Sequence, residues 1–127
     1  MDYPVIIHVQ TKYLNDPMTR EKGQFAFAYQ VIIQNQGDIP IQLLYRHWLI
    51  TDGNGEVKEV HGEGVVGKQP VIAPNDFFSY TSGAVIDTQV GVMQGSYDMQ
   101  TRPPNSEPES FSAVILPFRL ATPQSIN

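Results

Sequence analysis

Residues 25–33, which read FAFAYQVII, decide the fold class of this chain. Apolar side chains occupy every second position of the stretch, at Phe25, Phe27, Tyr29, Val31 and Ile33. Successive residues of a β-strand point to opposite faces, so this spacing puts the apolar side chains on one face. An amphipathic helix would instead repeat its apolar positions about every 3.6 residues. The stretch therefore predicts a strand with one buried face.

The same alternation recurs along the rest of the chain. It begins a first strand at Val5. It returns in a second set at Gly91, Met93, Gly95, Tyr97 and Met99. A third set follows at Val114, Leu116, Phe118, Leu120 or their neighbours. No stretch of ten or more residues carries a helical pattern free of proline and glycine. We predict seven strands, at about 4–13, 24–35, 41–51, 56–61, 76–82, 89–101 and 110–120.

Turn-forming residues separate the predicted strands. They are Asn15-Asp16-Pro17, Asn35-Gln36-Gly37-Asp38, Asp52-Gly53-Asn54-Gly55, Pro74-Asn75-Asp76 and the polar segment 102–109. A parallel sheet is excluded because it needs crossover helices. We therefore expect one all-β domain over residues 1–127, a fibronectin type III or immunoglobulin-like sandwich of two antiparallel sheets, with Trp48 in its core. A closed barrel is the alternative.

Composition and charge exclude several classes of function. The chain has 13 acidic and 8 basic residues, a net charge of −5, and no cysteine. Nucleic acid and anionic membranes are therefore poor partners, and disulfides and thiolate metal sites are absent. The N-terminal MDYPVII has no basic region before its apolar residues, and no apolar run approaches the ~18 residues that cross a bilayer. We expect a cytoplasmic protein without membrane insertion.

Residues 62–67 form a GxGxxG string, GEGVVG, followed by Lys68. In a dinucleotide-binding fold such a string precedes a helix, but Pro70 and Pro74 prevent a helix here. Two interpretations remain. The glycines either allow a bend or a close backbone approach, or their amides bind an anion beside Lys68. Under the second interpretation Gly62, Gly64, Gly67 and Lys68 would hold an anion.

Metal and catalytic motifs are weak in this sequence. Asp52, Asn54 and Glu56, with Glu63, partly match a calcium loop, but Val57 stands where that loop needs glycine, so a hairpin turn is expected. The histidines at positions 8, 47 and 61 have no ligand spacing, although His61 and Glu63 could weakly hold a divalent cation on a shared strand face. No nucleophile and base stand together. We expect no metal site, no cofactor, no catalytic residue and no enzymatic activity.

Several motifs resemble the ApaG family in its free-standing bacterial form. They are RHW at 46–48, VHGEGVVG at 60–67, QPV at 69–71, YTSG at 80–83, GVMQGSYDM at 91–99 and PF at 117–118. The chain departs from the family pattern at Asn75, where glycine is usual, and in the longer segment 102–109. The resemblance implies a fibronectin-type sandwich and a link to cobalt resistance and magnesium efflux. It also implies a pyrophosphate or nucleotide site at Gly62, Gly64 and Gly67, and a protein-interaction role in related eukaryotic domains.

Two functions are therefore expected from the sequence. The first is a non-catalytic binding protein that affects divalent cations indirectly, through a protein partner of unknown identity. The second is a module that binds pyrophosphate or a nucleotide through residues 62–68, with weak hydrolysis as its extension. The sequence indicates no oligomeric state.

Overall fold

The computed structural model describes residues 3–126, so Met1, Asp2 and Asn127 of the predicted domain lie outside the described residues. The strands are β1 (Val5–Leu14), β2 (Phe25–Asn35), β3 (Ile41–Asp52), β4 (Val57–Glu63), β5 (Val71–Ile72), β6 (Phe77–Ile86), β7 (Val90–Thr101) and β8 (Ser110–Ala121). A short helix, α1 (Pro17–Glu21), and a 3-10 turn, Pro123–Ile126, complete the fold. Within the described range, no helix has the length and apolar character needed to cross a membrane.

The strands form two antiparallel sheets. One sheet has the order β1-β2-β6, and the other has the order β4-β3-β7-β8, with β5 paired to β3. The predicted sandwich of the fibronectin and immunoglobulin type is therefore confirmed, and the closed barrel is wrong because the two sheets are separate.

The core lies between the two sheets and follows the alternation predicted for β2. Its inward positions are almost wholly buried, at Phe27, Tyr29, Val31 and Ile33. Trp48 on β3 is only 2% exposed, as predicted, and its ring contacts those of Tyr29, Tyr97 and Phe118 edge-on, with centroids 5.4, 6.3 and 5.8 Å away. Edge-on aromatic packing of this kind stabilises the core beyond the area that it buries.

The alternation predicted for β8 is wrong in its first half. Val114 and Leu116 are 67% and 76% exposed, whereas the buried apolar residues of the strand include Phe111, Ala113, Ile115 and Leu120. The register explains the change of phase, because Leu116 and Pro117 together lie opposite the single residue Gln94 of β7. One extra residue in a strand is a β-bulge, and it moves every later side chain to the other face. Pro117 suits this position because it has no amide to donate to the ladder.

The short helix α1 is formed by local capping interactions, which the alternation of apolar residues does not predict. The amide of Thr19 donates to Oδ2 of Asp16 at 3.2 Å, and Pro17 stands in the first turn of α1. Asp as a helix cap and Pro at the first position are favoured in this arrangement. The predicted turn at 15–17 therefore continues into one turn of helix.

Candidate functional site

Residues 62–68, which we call the glycine loop, leave the end of β4 and fold into a tight turn. The amide of Val65 donates to the carbonyl of Lys68 at 2.8 Å, and the amide of Lys68 donates back to Val65 at 3.0 Å. Between them Val66 and Gly67 both have positive φ angles, of 44° and 79°. This is the pattern of a two-residue turn of the primed type, which matches the twist of paired strands.

Close packing against backbone requires a glycine at position 64, and a mobile arginine side chain packs against the glycine at position 62. A Cβ on Gly64 would lie 2.2 Å from the carbonyl oxygen of Lys68, and Gly64 has a φ of +66°. A Cβ on Gly62 would lie 2.5 Å from Cζ of Arg46. The guanidinium of Arg46 lies over Gly62, and its Nη1 donates to the carbonyls of Gly64 at 2.9 Å and Glu63 at 3.2 Å. Arg46 therefore holds the loop against β3, and the glycines make room for this contact.

Much of the loop's hydrogen-bonding capacity is used internally. Besides the pair between Val65 and Lys68, the amide of Gly64 donates to the carbonyl of Leu44 at 2.8 Å. Within residues 64–68 of the described structure, the amides of Val66 and Gly67 at the tip of the loop are the two that donate to no protein acceptor. Anion binding by Gly62, Gly64, Gly67 and Lys68 stays a prediction, and these two amides with the exposed Lys68 are the donors that it could use.

Val66 carries backbone strain that a substitution can relieve. A positive φ is unfavourable for a β-branched residue, whereas asparagine followed by glycine is the preferred pair in such a turn. Val66 is 55% exposed, so little apolar burial is lost when it is replaced. We expect Val66→Asn to raise the free energy of unfolding by about 1 kcal/mol, measured by urea denaturation. Val71→Asn is the control, because Val71 is also exposed and has no positive φ; equal effects of the two substitutions would contradict the argument.

A second group of polar side chains lies on the outer face of β3 and β4. The strand register puts His47 directly opposite His61, and their rings stack with centroids 4.3 Å apart and an interplanar angle of 14°. Oε1 of Glu59 lies 3.2 Å from Nε2 of His47 and also contacts Nε2 of His61. We call these three residues the histidine cluster. Glu63, which the sequence suggested as the partner of His61, instead lies opposite Tyr45.

The two histidines change the acidity of Glu59. Its pKa is lowered, chiefly because His61 donates a hydrogen bond to the carboxylate, with a smaller contribution from His47. Linear spacing concealed this cluster because the histidines stand at positions 47 and 61 on different strands. Only the pairing of β3 with β4 across the hairpin brings them together, and a predicted register for that hairpin was the signal that could have revealed it.

The hairpin itself explains the partial calcium-loop pattern. Oδ1 of Asp52 accepts hydrogen bonds from the amides of Asn54 at 2.9 Å and Glu56 at 3.0 Å. Aspartate commonly closes a turn in this way by satisfying nearby backbone donors. The expected hairpin turn is therefore confirmed.

Tyr80 and Tyr97 form a buried polar contact between the sheets. Their hydroxyl groups hydrogen-bond to each other, and burial is the main cause of a strongly raised pKa for both. Arg46 opposes this shift only weakly. Both hydroxyls therefore stay protonated at neutral pH, and their contact joins β6 of one sheet to β7 of the other.

The comparisons with known proteins agree with one another. The ApaG domain family matches residues 15–101. The chain is 48% identical to Protein ApaG of Pseudomonas entomophila and 50% identical to Protein ApaG of Pseudomonas aeruginosa PAO1, in each case over 98% of this chain and 96% of the relative. The X-ray structure of a structural-genomics target superposes with a TM-score of 0.86 at 44% identity, covering 94% of this chain and 87% of the other. A Bordetella pertussis protein called ApaA gives 0.83 at 42%, covering 96% of both chains.

Proposed function

The chain belongs to the ApaG domain family, and from this membership we propose that it is a cytoplasmic, non-catalytic binding protein. In this proposal it influences cobalt resistance and magnesium efflux indirectly, through a protein partner. The observation that carries the proposal is the outer side of β8, where Val114 and Leu116 are 67% and 76% exposed. Contiguous exposed apolar side chains of this kind are a frequent mark of a protein contact.

The position of β8 in the sheet suits a partner that binds as an extended segment. β8 is twelve residues long and lies at the end of the order β4-β3-β7-β8, so it has a strand neighbour on one side only. Unpaired backbone groups on such an edge can accept one more strand, and the alternate side chains then supply specificity. A partner segment with alternating apolar residues would cover Val114 and Leu116 while it pairs with the β8 backbone.

Site-specific photocross-linking in living bacterial cells tests this contact. A benzoylphenylalanine side chain at position 114 is expected to give a discrete adduct with another protein. Adding Leu116→Lys should reduce that adduct roughly tenfold, because a charge would be buried in the contact. The stability of the purified variant should change by less than about 0.5 kcal/mol, since position 116 is on the surface.

The matched control places the same cross-linker at position 81. Thr81 is exposed on β6, which is one of the two edge strands of the opposite sheet. Equal adducts from positions 81 and 114, adducts only with a second copy of this chain, or no adduct at all would each overturn the proposal. Loss of cobalt tolerance with Leu116→Lys, but not with Thr81→Lys, would tie the contact to the cellular role.

The alternative function, binding of pyrophosphate or a nucleotide by the glycine loop, is less well supported. Arg46 and the internal hydrogen bonds of the loop already account for Gly62 and Gly64. The alternative depends on the two tip amides and Lys68, and we propose it only as secondary to partner binding.

A further inference from the structure

The histidine cluster has the chemistry of a transition-metal site. It offers two imidazole nitrogens and one carboxylate oxygen, at His47, His61 and Glu59, and these ligand atoms all lie within 4.8 Å of one another. Imidazole with carboxylate suits Zn²⁺, Co²⁺, Ni²⁺ and Cu²⁺, whereas Mg²⁺ and Ca²⁺ favour oxygen ligands alone. We propose that these three residues bind one divalent first-row transition-metal ion.

One of the distances between ligand atoms already matches what such an ion requires. Ligands held about 2.0–2.2 Å from a zinc-like ion are about 2.9–3.4 Å from one another, depending on the coordination geometry. Nε2 of His47 and Oε1 of Glu59 lie 3.2 Å apart. Nε2 of His61 contacts the same oxygen, so a small side-chain rotation toward the ion is needed there. Both histidines direct their Nε2 atoms to one point, which is the convergence that a shared ion needs.

The backbone preorganises the three ligands. His47 lies on β3 between two strands, paired with His61 on β4 and with Ser96 on β7. Glu59 precedes His61 by two residues, so the two side chains leave the same face of β4. The hairpin register therefore fixes all three Cα positions, and only side-chain rotations have to be ordered when an ion binds.

The surroundings favour a cation and leave it accessible. Two more carboxylates, Glu63 and Asp98, flank Tyr45 in the register on the same outer face. The side chains of His47, Glu59 and His61 are 34%, 54% and 65% exposed, so solvent reaches the cluster directly. Three protein ligands on an open surface leave the remaining coordination positions to water or to a partner's side chain.

Titration of the purified, tag-free chain with Zn²⁺ and with Co²⁺ tests the site near neutral pH. Calorimetry should give one ion per chain, and the visible absorption of Co²⁺ should shift as nitrogen ligands replace water. His47→Ala, His61→Ala and Glu59→Gln should each weaken binding about tenfold or more. In the wild-type protein, bound Co²⁺ should broaden the ring proton resonances of His47 and His61.

Two variants serve as matched controls. His8→Ala removes the exposed histidine on β1, and Glu63→Gln neutralises a carboxylate beside the cluster. Both should retain the wild-type affinity within about threefold, since neither removes a ligand. No binding heat, an equal loss in His8→Ala, or broadening of His8 instead of His47 and His61 would overturn the assignment. These outcomes concern the isolated chain and do not depend on whether a protein partner binds β8.

Discussion

Replacing Asn35 with alanine is expected to lower the free energy of unfolding by about 3–5 kcal/mol, which would be among the largest effects of any single side chain. Asn35 is completely buried at the end of β2. Its Nδ2 donates to the carbonyls of Ile39 at 2.9 Å and Ile72 at 3.0 Å, and its Oδ1 accepts from the amide of Gly37 at 2.9 Å. Alanine would remove all three hydrogen bonds, although the carbonyl of Ile39 would keep the bond that it accepts from the Tyr3 hydroxyl.

Urea denaturation of Asn35→Ala measures this loss, and Asn54→Ala is the matched control. Asn54 is exposed in the β3–β4 hairpin, so its replacement should change the free energy of unfolding by less than about 0.5 kcal/mol. Asn35→Asp keeps the shape of the side chain but removes its hydrogen-bond donor, so it separates the two contributions to the free energy of unfolding. At neutral pH its carboxylate would face two carbonyl oxygens and destabilise at least as much as alanine does. In acid the neutral carboxyl can donate one hydrogen bond, so the free energy of unfolding of Asn35→Asp should rise relative to that of Asn35→Ala. A wild-type midpoint for Asn35→Ala would refute this account.

Replacing Gly95 with alanine is expected to destabilise the protein by about 3 kcal/mol or more, because two strands approach closely at this residue. Gly95 lies on β7 opposite Trp48 of β3. A Cβ there would lie 2.0 Å from the carbonyl oxygen of His47 and 3.2 Å from Cα of Trp48. Both are backbone atoms of a central strand, so β3 and β7 would have to separate before an alanine fits.

The thermal midpoint of Gly95→Ala, compared with that of Gly83→Ala, checks this expectation. Gly83 also lies within a strand, but β6 is at the sheet edge, and a Cβ at Gly83 would lie 3.3 Å from the carbonyl of Phe27. That neighbour has to move only slightly, so a loss of about 1 kcal/mol or less is expected. Equal losses in the two variants would show that strand propensity, and not the close approach at Gly95, sets the cost.

The sheets and the core could be predicted from the sequence because alternation is a local pattern. The buried positions of β2 and the inward Trp48 follow directly from it. Prediction failed in β8 because the bulge at Leu116 and Pro117 is set by pairing with β7. The departure at Asn75 is also local, since its φ of +65° is a conformation that asparagine adopts more readily than most residues other than glycine.

The candidate sites depend on contacts that the order of residues does not show. The sequence was enough to locate the glycine string. It did not show that Arg46 lies over Gly62, because that contact follows from the pairing of the two residues across strands. The same applies to His47 and His61, whose shared neighbour Glu59 has no fixed spacing from His47 in the sequence. Side chains that meet across a sheet need the register, and the register is a tertiary property.

Pro117 also limits the addition of further strands to the unpaired edge of β8. A chain that aligns there can form regular backbone pairs along residues 110–115, but the bulge at Leu116 and Pro117 interrupts the ladder before the strand ends. Proline and a bulge on an outer strand are known to discourage uncontrolled stacking of identical molecules into fibrils. Val114 and Leu116 can thus stay exposed on β8 while the proline and the bulge disfavour polymerisation through the same edge.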